Sequence, residues 1–169
     1  MQLPCFIDFE ASSLGIDSYP TEVAWSTPDG VIESHLINPY HVEEWTDWDP
    51  AAQAITGISR RLLREQGRPP EWVCRRMNEA LAGLTLYSDA VQFDGFWLGS
   101  LFEQSRCGPP AFRLGDLFLM VLRTTGLPRQ RVVHCLEAGR VEVGKAHRAA
   151  WDVQAHLAGW RLAAGRGGT

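Results

Sequence analysis

The stretch LPCFIDFE at residues 3–10 decides the fold class of this chain. It is short, apolar and rich in aromatic residues, and it predicts a buried strand over residues 3–9 that runs into two acids. Asp8 and Glu10 are two residues apart, so both side chains leave the same face of the sheet. Two such carboxylates repel each other and resist the loss of water. A divalent cation such as Mg²⁺ or Mn²⁺ would remove both costs; the plainer alternative is a strand that runs out into solvent.

Two further strands are expected over residues 22–26 and 31–37, on either side of Thr27-Pro28-Asp29-Gly30. Proline presets a turn conformation and glycine permits a positive φ, so the two strands are expected to form an antiparallel hairpin. Short strands at residues 85–87 and 111–114 then alternate with helices. This pattern predicts an α/β fold with a mixed sheet. Helices are expected at residues 51–55, 59–66, 71–84, around 93–101, and at 116–123, 130–137 and 151–162.

The composition narrows the class of protein. The chain has 169 residues, of which 45% are hydrophobic, enough for a core without disulfides. Sixteen Lys and Arg against 20 Asp and Glu give a net charge of −4, which argues against a basic nucleic-acid-binding surface. The four cysteines are scattered singly, so no structural zinc site is expected. The sequence has no signal-peptide or membrane-span pattern. We expect one domain over residues 1–164, a flexible tail at 165–169 and a cytoplasmic location.

Two more acids lie in the middle of the chain. Asp94 belongs to QFDGFWL at residues 92–98, whose aromatic residues predict the start of a helix packed against the sheet. An acid in that setting is either a charge at a helix end or a metal ligand. Asp89 is the rival candidate, and it is interpreted as structural because Ser88-Asp89 would cap a turn.

The last helix is preceded by a histidine and opened by an acid. His147 and Asp152 are five residues apart. A histidine at that place is expected to be exposed and mobile, and it could take a proton from a water bound to a metal. The alternative is a surface histidine without a role. The remaining histidines are given that second interpretation: His35, His41, His134 and His156.

The order of these residues, rather than any one of them, is informative. Asp8-x-Glu10, then Asp94 in D-G-F-W-L, then His147 and Asp152 before the last helix resemble the DEDDh exonuclease family. That family includes oligoribonuclease and the proofreading subunit of bacterial DNA polymerase. Shorter segments agree: D-F-E-A-S-S-L from Asp8 resembles the family's D-x-E-x-T-x-L, and residues 21–23 and 54–58 resemble its second strand and its I-H-G-I segment.

The resemblance implies an RNase H-like fold whose five-stranded sheet has three antiparallel N-terminal strands followed by parallel ones. It also implies two divalent ions, Mg²⁺ or Mn²⁺, held by Asp8, Glu10, Asp94 and Asp152, with His147 as general base. Two such ions clamp the attacking and leaving oxygens of a phosphoryl displacement. They add +4 to the site, so an acidic protein can still receive a phosphate.

Substrate contacts are implied on the same basis. Residues 11–14 and Glu22 are assigned to substrate binding, with Leu14 as a wedge between the last two bases. Thr56 and Ala90 depart from the family, which often has a histidine and an asparagine at these places. The substrate-binding set is Ala11, Ser12, Ser13, Leu14 and Glu22; stacking is considered for Trp45 or Trp48, and a basic contribution for Arg60, Arg61, Arg64, Lys145 and Arg148.

The sequence therefore predicts a 3′–5′ exonuclease that releases nucleoside monophosphates from a single-stranded end, with RNA favoured over DNA. A DNA exonuclease for repair or proofreading is the alternative within the enzyme class. A non-catalytic RNA-binding module with the same fold is the alternative from another class. A homodimer is considered, and no membrane partner is expected.

Overall fold

The computed structural model describes residues 2–144 and 147–165. At its centre lies a five-stranded sheet. Its strands in chain order are β1 (Cys5–Ala11), β2 (Pro20–Ser26), β3 (Ile32–Leu36), β4 (Thr85–Ser88) and β5 (Arg113–Asp116). The spatial order is β3-β2-β1-β4-β5; β2 pairs antiparallel with both β1 and β3, whereas β4 runs parallel to β1 and β5. The predicted α/β fold with a mixed five-stranded sheet is confirmed.

Local sequence signals explain where several elements begin and turn. The hairpin between β2 and β3 closes at Gly30, whose φ of +85° favours glycine. The Asp49 carboxylate accepts a hydrogen bond of 2.8 Å from the amide of Ala51, and Pro50 occupies the first helical position. The described helices are α1 (Pro50–Thr56), α2 (Arg60–Gln66), α3 (Pro70–Leu81), α4 (Val91–Ser105), α5 (Leu117–Thr125), α6 (Arg129–Val143) and α7 (Ala149–Ala164), with a 3₁₀ turn at Pro39–His41.

Helices cover both faces of the sheet. Ile7 and Phe9 of β1 pack with α3 and α4 on one side, whereas Phe6 packs with α5, α6 and α7 on the other. Side chains alternate along a strand, so Asp8 and Glu10 lie on the same side as Phe6 and α7. None of the described helices is both long and apolar enough to cross a membrane.

A close helix contact sets α7 against the sheet. A side chain at Gly139 of α6 would meet the Gly159 amide of α7 at 2.3 Å, and one at Gly159 would meet the Leu136 backbone at 2.9 Å. Only glycine allows the two backbones to approach this closely. The helix that carries Asp152 is therefore held in a fixed place under β1.

Helix lengths and burial differ from the sequence prediction in a few places. α6 continues to Val143 instead of ending at residue 137, and within this extension Gly139 packs closely against Gly159 of α7. His156 is 3% exposed in the layer between α7 and the sheet, so its interpretation as a surface residue was wrong. Apart from Gly165, the predicted tail lies outside the described residues.

Candidate active site

The acidic residues come together toward the carboxyl ends of the neighbouring parallel strands β1 and β4. β1 and β4 are parallel neighbours, with Phe6 opposite Tyr87, and continuing that register brings Asp8 level with Asp89. Asp94 lies in the first turn of α4, which follows β4, and Asp152 lies in the first turn of α7. The carboxyl ends of parallel strands are where ligands bind in open α/β sheets.

The carboxylates form two groups that share one member. In the Glu10 cluster (Asp8, Glu10 and Asp152), one ligand atom from each residue lies within 4.8 Å of the others. In the Asp89 cluster (Asp8, Asp89 and Asp94), the same holds. Asp8 belongs to both, so the arrangement offers two adjacent positions for hard divalent cations that prefer oxygen ligands.

The electrostatics show why these groups fit a cation. Burial, followed by repulsion from Asp94 and Asp152, raises the pKa of Asp8 well above its usual range. Burial and the charge of Asp152 raise the pKa of Glu10 to about 8. Burial also raises the pKa of Asp94 to about 7, although the Ser88 hydroxyl donates a hydrogen bond to its carboxylate and opposes the shift. A divalent cation would remove the repulsion that these shifts express.

The sequence names Asp89 as a rival to Asp94 and interprets it as structural. The structure also brings it into a carboxylate cluster with Asp8 and Asp94. Its carboxylate pairs with Arg140 of α6 and lies 3.5 Å from His156 Nε2 of α7. Burial acts to raise the pKa of Asp89, but His156 and Arg140 lower it to about 2. The position of Asp89 in the chain indicates this placement, because Asp89 directly follows β4, the strand that neighbours β1.

His147 lies in the loop before α7, exposed and with a φ of +44°. That left-handed conformation is uncommon for a residue with a side chain, although histidine adopts it more often than most. His147 and Asp152 line the same cavity of about 380 Å³, together with Trp151 and Arg140. An exposed imidazole at the mouth of this cavity can accept a proton from a water beside the carboxylates. Lys145, the predicted basic residue next to this loop, lies outside the described residues.

Glu22 of β2 holds the start of α7. It is 2% exposed and accepts two hydrogen bonds from the Arg148 guanidinium, at 2.9 and 2.6 Å, and one of 3.1 Å from the Ala149 amide. Ser34 donates a further bond of 3.1 Å. With its oxygens engaged inside the protein, the Glu22 side chain does not offer the substrate contact that was predicted. Arg148 is likewise paired, so both residues position the helix that carries Asp152.

Replacing Glu22 with Gln is therefore expected to lower both stability and cation affinity. The change leaves the Arg148 charge without its partner in a half-buried place, and breaking a buried pair costs about 3–5 kcal/mol. Glu33→Gln is the matched control, because Arg76 also makes a two-bond pair with Glu33, at 2.7 Å each, on a more exposed edge away from the carboxylates. Denaturant unfolding measures the loss of stability in each variant, and a Mn²⁺ titration measures its cation affinity. We expect only Glu22→Gln to weaken Mn²⁺ binding. Equal Mn²⁺ affinity in both variants would contradict the positioning role.

A second cavity has Glu10 in its lining. It has a volume of about 210 Å³ and is lined by Ala11, Ser13, Leu14 and Thr56, with Trp97 and Ile55 also contributing. Leu14 is 78% exposed and stands at the rim, where an apolar wedge would be placed.

Two side chains near this cavity are engaged within the protein. Ser12 is 1% exposed, donates to Asp47 at 2.9 Å and accepts from the Tyr19 amide at 3.1 Å, so it shapes the loop. The Thr56 hydroxyl donates to the Ala52 carbonyl at 3.0 Å. The predicted contact residues that face the cavity are therefore Ala11, Ser13 and Leu14.

The aromatic residues considered for base stacking and the basic residues considered for binding nucleic acid largely contact other side chains of the protein. Trp45 is 8% exposed and stacks on Tyr19 with ring centres 5.3 Å apart, so its predicted role in base stacking was wrong. Trp48 packs partly against the core and carries the Arg60 guanidinium 5.2 Å from its ring centre. Arg64 lies 4.4 Å over Tyr40, a cation–π contact on the surface.

Comparison with solved structures bears on the fold. The chain has an RNase H-like α/β fold, which the exonuclease structures described below share. It matches no protein-family model, and no curated protein is similar to it in sequence.

The fold is similar to that of exonuclease I. The zinc-bound complex of E. coli exonuclease I with single-stranded DNA has a TM-score of 0.71 at 22% identity, covering 98% of this chain and 41% of that one. Exonuclease I of Methylocaldum szegediense gives 0.69 at 22% identity, with 96% and 40% covered. The E. coli enzyme in complex with a dA16 oligonucleotide gives 0.67 at 21% identity, with 94% and 42% covered. This chain thus spans about two fifths of the exonuclease I chains that it matches.

Proposed function

We propose that this chain is the catalytic domain of a metal-dependent 3′–5′ exonuclease that removes nucleoside 5′-monophosphates from a single-stranded end. One observation carries the proposal: Asp8 is shared by two carboxylate clusters, and two cavities border the acids, one lined by Glu10 and one by Asp152. A non-catalytic binding module would gain nothing from buried carboxylates whose mutual repulsion destabilises the fold.

The donor set favours Mg²⁺ or Mn²⁺, because every clustered side chain offers only carboxylate oxygens. Asp8, Glu10 and Asp152 would hold one ion, and Asp8 with Asp94 the other. Bound in this way, the ions would supply the positive charge that stabilises the attacking and leaving oxygens of the phosphodiester.

The other side chains of the site transfer the proton, bind the terminal nucleotide and position Asp152. His147 accepts the proton of the attacking water, since it is exposed at the mouth of the cavity that Asp152 lines. Ala11, Ser13 and Leu14 line the cavity that Glu10 also lines, and this cavity receives the terminal nucleotide. Glu22 and Arg148 keep the start of α7, and with it Asp152, in place. Correct placement of this kind lowers the barrier without any new bond to the protein.

Single-stranded DNA is the substrate that the comparisons favour. The similar exonuclease I structures include complexes with single-stranded DNA. Selection of RNA would need a contact to the 2′-hydroxyl. The Thr56 hydroxyl beside the terminal-nucleotide cavity is already bonded to Ala52 and does not supply that contact. RNA, which the sequence favoured, is the competing substrate in the test.

The test uses 5′-labelled single-stranded DNA and RNA of one sequence, each incubated with Mg²⁺, Mn²⁺ or EDTA. We expect a ladder that shortens from the 3′ end, release of nucleoside 5′-monophosphates, faster loss of the DNA, and no cleavage in EDTA. An oligonucleotide with phosphorothioate linkages at its 3′ end is the control and should resist. Cleavage that starts at the 5′ end, or that persists in EDTA, would contradict the proposal. Faster loss of the RNA would overturn only the substrate assignment.

A further inference from the structure

Asp89 lies in the acidic centre but outside the set of four acids that the exonuclease resemblance assigns to metal binding. It follows β4, and one of its carboxylate oxygens lies within 4.8 Å of ligand atoms of both Asp8 and Asp94. The register of β1 and β4 puts it level with Asp8 across the sheet. Asp89 therefore lies directly after the end of β4, the strand that neighbours the one carrying Asp8.

A buried imidazole points at the same carboxylate. His156 is 3% exposed, and neither ring nitrogen has a hydrogen-bond partner within the described part of the chain. Its Nε2 is 3.5 Å from Asp89 Oδ2, just too far for a good hydrogen bond. Buried polar groups without a partner are rare and cost about 1–3 kcal/mol each. The unpartnered imidazole of His156 therefore faces the Asp89 carboxylate.

Arg140 holds the Asp89 carboxylate from a second side. Its guanidinium pairs with Oδ2, the same oxygen that His156 approaches. Carboxylates that bind metals are commonly fixed by hydrogen bonds from neighbouring side chains. The Arg140 charge also offsets part of the repulsion that a further acid adds to the centre.

We propose that Asp89 is a fifth carboxylate of the metal centre and binds one divalent cation together with Asp8 and Asp94, while Arg140 and His156 hold it in position. This inference rests on the proposed function, because it assumes that cations occupy the two clusters. It adds a ligand: the cation in the Asp89 cluster has three protein carboxylates instead of two. That position is therefore expected to fill without nucleic acid, so the free protein binds two ions.

The experiment is a Mn²⁺ titration of the free protein, followed by the electron paramagnetic resonance signal of unbound Mn²⁺. We expect two ions bound to the wild type. Asp89→Asn should keep one ion at unchanged affinity and bind the other at least about 10-fold more weakly. Glu137→Gln is the control, since this acid is exposed on α6 and belongs to neither carboxylate cluster, and it should still bind two ions with wild-type affinity.

The outcomes separate the alternatives. If Asp89 only pairs with Arg140, Asp89→Asn loses stability but still binds two ions with wild-type affinity, which overturns this inference alone. If the wild type binds no Mn²⁺, the proposed function fails together with it. Anomalous diffraction from wild-type crystals grown with Mn²⁺ does not depend on a variant that folds. An Asp89 oxygen about 2.0–2.6 Å from an ion supports the assignment, and a separation beyond about 3.5 Å from every ion overturns it.

Discussion

Asp8→Asn is expected to abolish hydrolysis and, in the same protein, to raise the unfolding temperature measured in EDTA. Asp8 is the ligand shared by both clusters, so its loss disturbs both cation positions. We expect the rate to fall by at least about 10³, since metal-ion stabilisation of the transition state contributes several kcal/mol. Stability rises because the folded protein must either keep a proton on Asp8 or bury its charge beside Asp94 and Asp152, and asparagine has neither cost.

The measurement pairs a cleavage assay with thermal unfolding in EDTA. A gain of about 1 kcal/mol corresponds to about 2–4 °C for a chain of this size. Glu137→Gln is the control: this acid is exposed on α6, and its replacement should change neither quantity. An Asp8→Asn protein that cleaves at the wild-type rate would remove Asp8 from the active site. A lower unfolding temperature in EDTA would contradict the repulsion that we describe.

His147→Asn is expected to reduce kcat by roughly 10² to 10⁴, the usual contribution of a general base. Asparagine tolerates the left-handed backbone that His147 adopts at a φ of +44°, so the loop should keep its shape. Mn²⁺ affinity should stay within a few fold of the wild type, because the clustered carboxylates are all retained.

His134→Asn is the matched control, since His134 is exposed on α6 and lines neither of the two cavities beside the carboxylates. Its kinetics should equal those of the wild type. Steady-state kinetics with saturating Mn²⁺ tests both variants side by side. If His147→Asn and His134→Asn are equally active, His147 is a surface residue and the proton acceptor lies elsewhere.

Local chemistry was sufficient for the sequence to predict most of the fold. Alternation in β1 places Asp8 and Glu10 on one face, the Asp49-Pro50 pair begins α1, and the turn that ends at Gly30 closes the hairpin. Each of these features depends on residues that are close together in the chain, because the spacing of side chains and the backbone preferences of proline and glycine determine local structure.

The parts that sequence reasoning missed depend on pairing between distant segments. Asp89 joins the acids only because β4 runs parallel to β1 in one particular register. His156 is buried because α7 packs between α6 and the sheet, and no spacing rule shows which face of that helix is covered. Glu22 lies at the start of α7 because of a contact across 126 residues of chain. Tertiary contacts of this kind leave no periodic signal.

Thermal unfolding across pH, with and without Mn²⁺, tests whether the clustered carboxylates form a cation site. The folded protein keeps protons on Glu10, with a pKa of about 8, and on Asp94, with a pKa of about 7, that the unfolded chain releases at lower pH. Their contribution to stability is therefore complete below about pH 4 and is lost as the pH rises through 7 and 8.

In EDTA we thus expect the unfolding temperature to fall between pH 5 and pH 8. Mn²⁺ at a hundredfold its dissociation constant adds about 2.7 kcal/mol to the folded state. At pH 8 this corresponds to a rise of roughly 5–10 °C over the EDTA sample. The rise should shrink toward pH 5, where protons compete with the cation. An unfolding temperature at pH 8 that is the same in Mn²⁺ and in EDTA would show that the clustered carboxylates do not form a cation site.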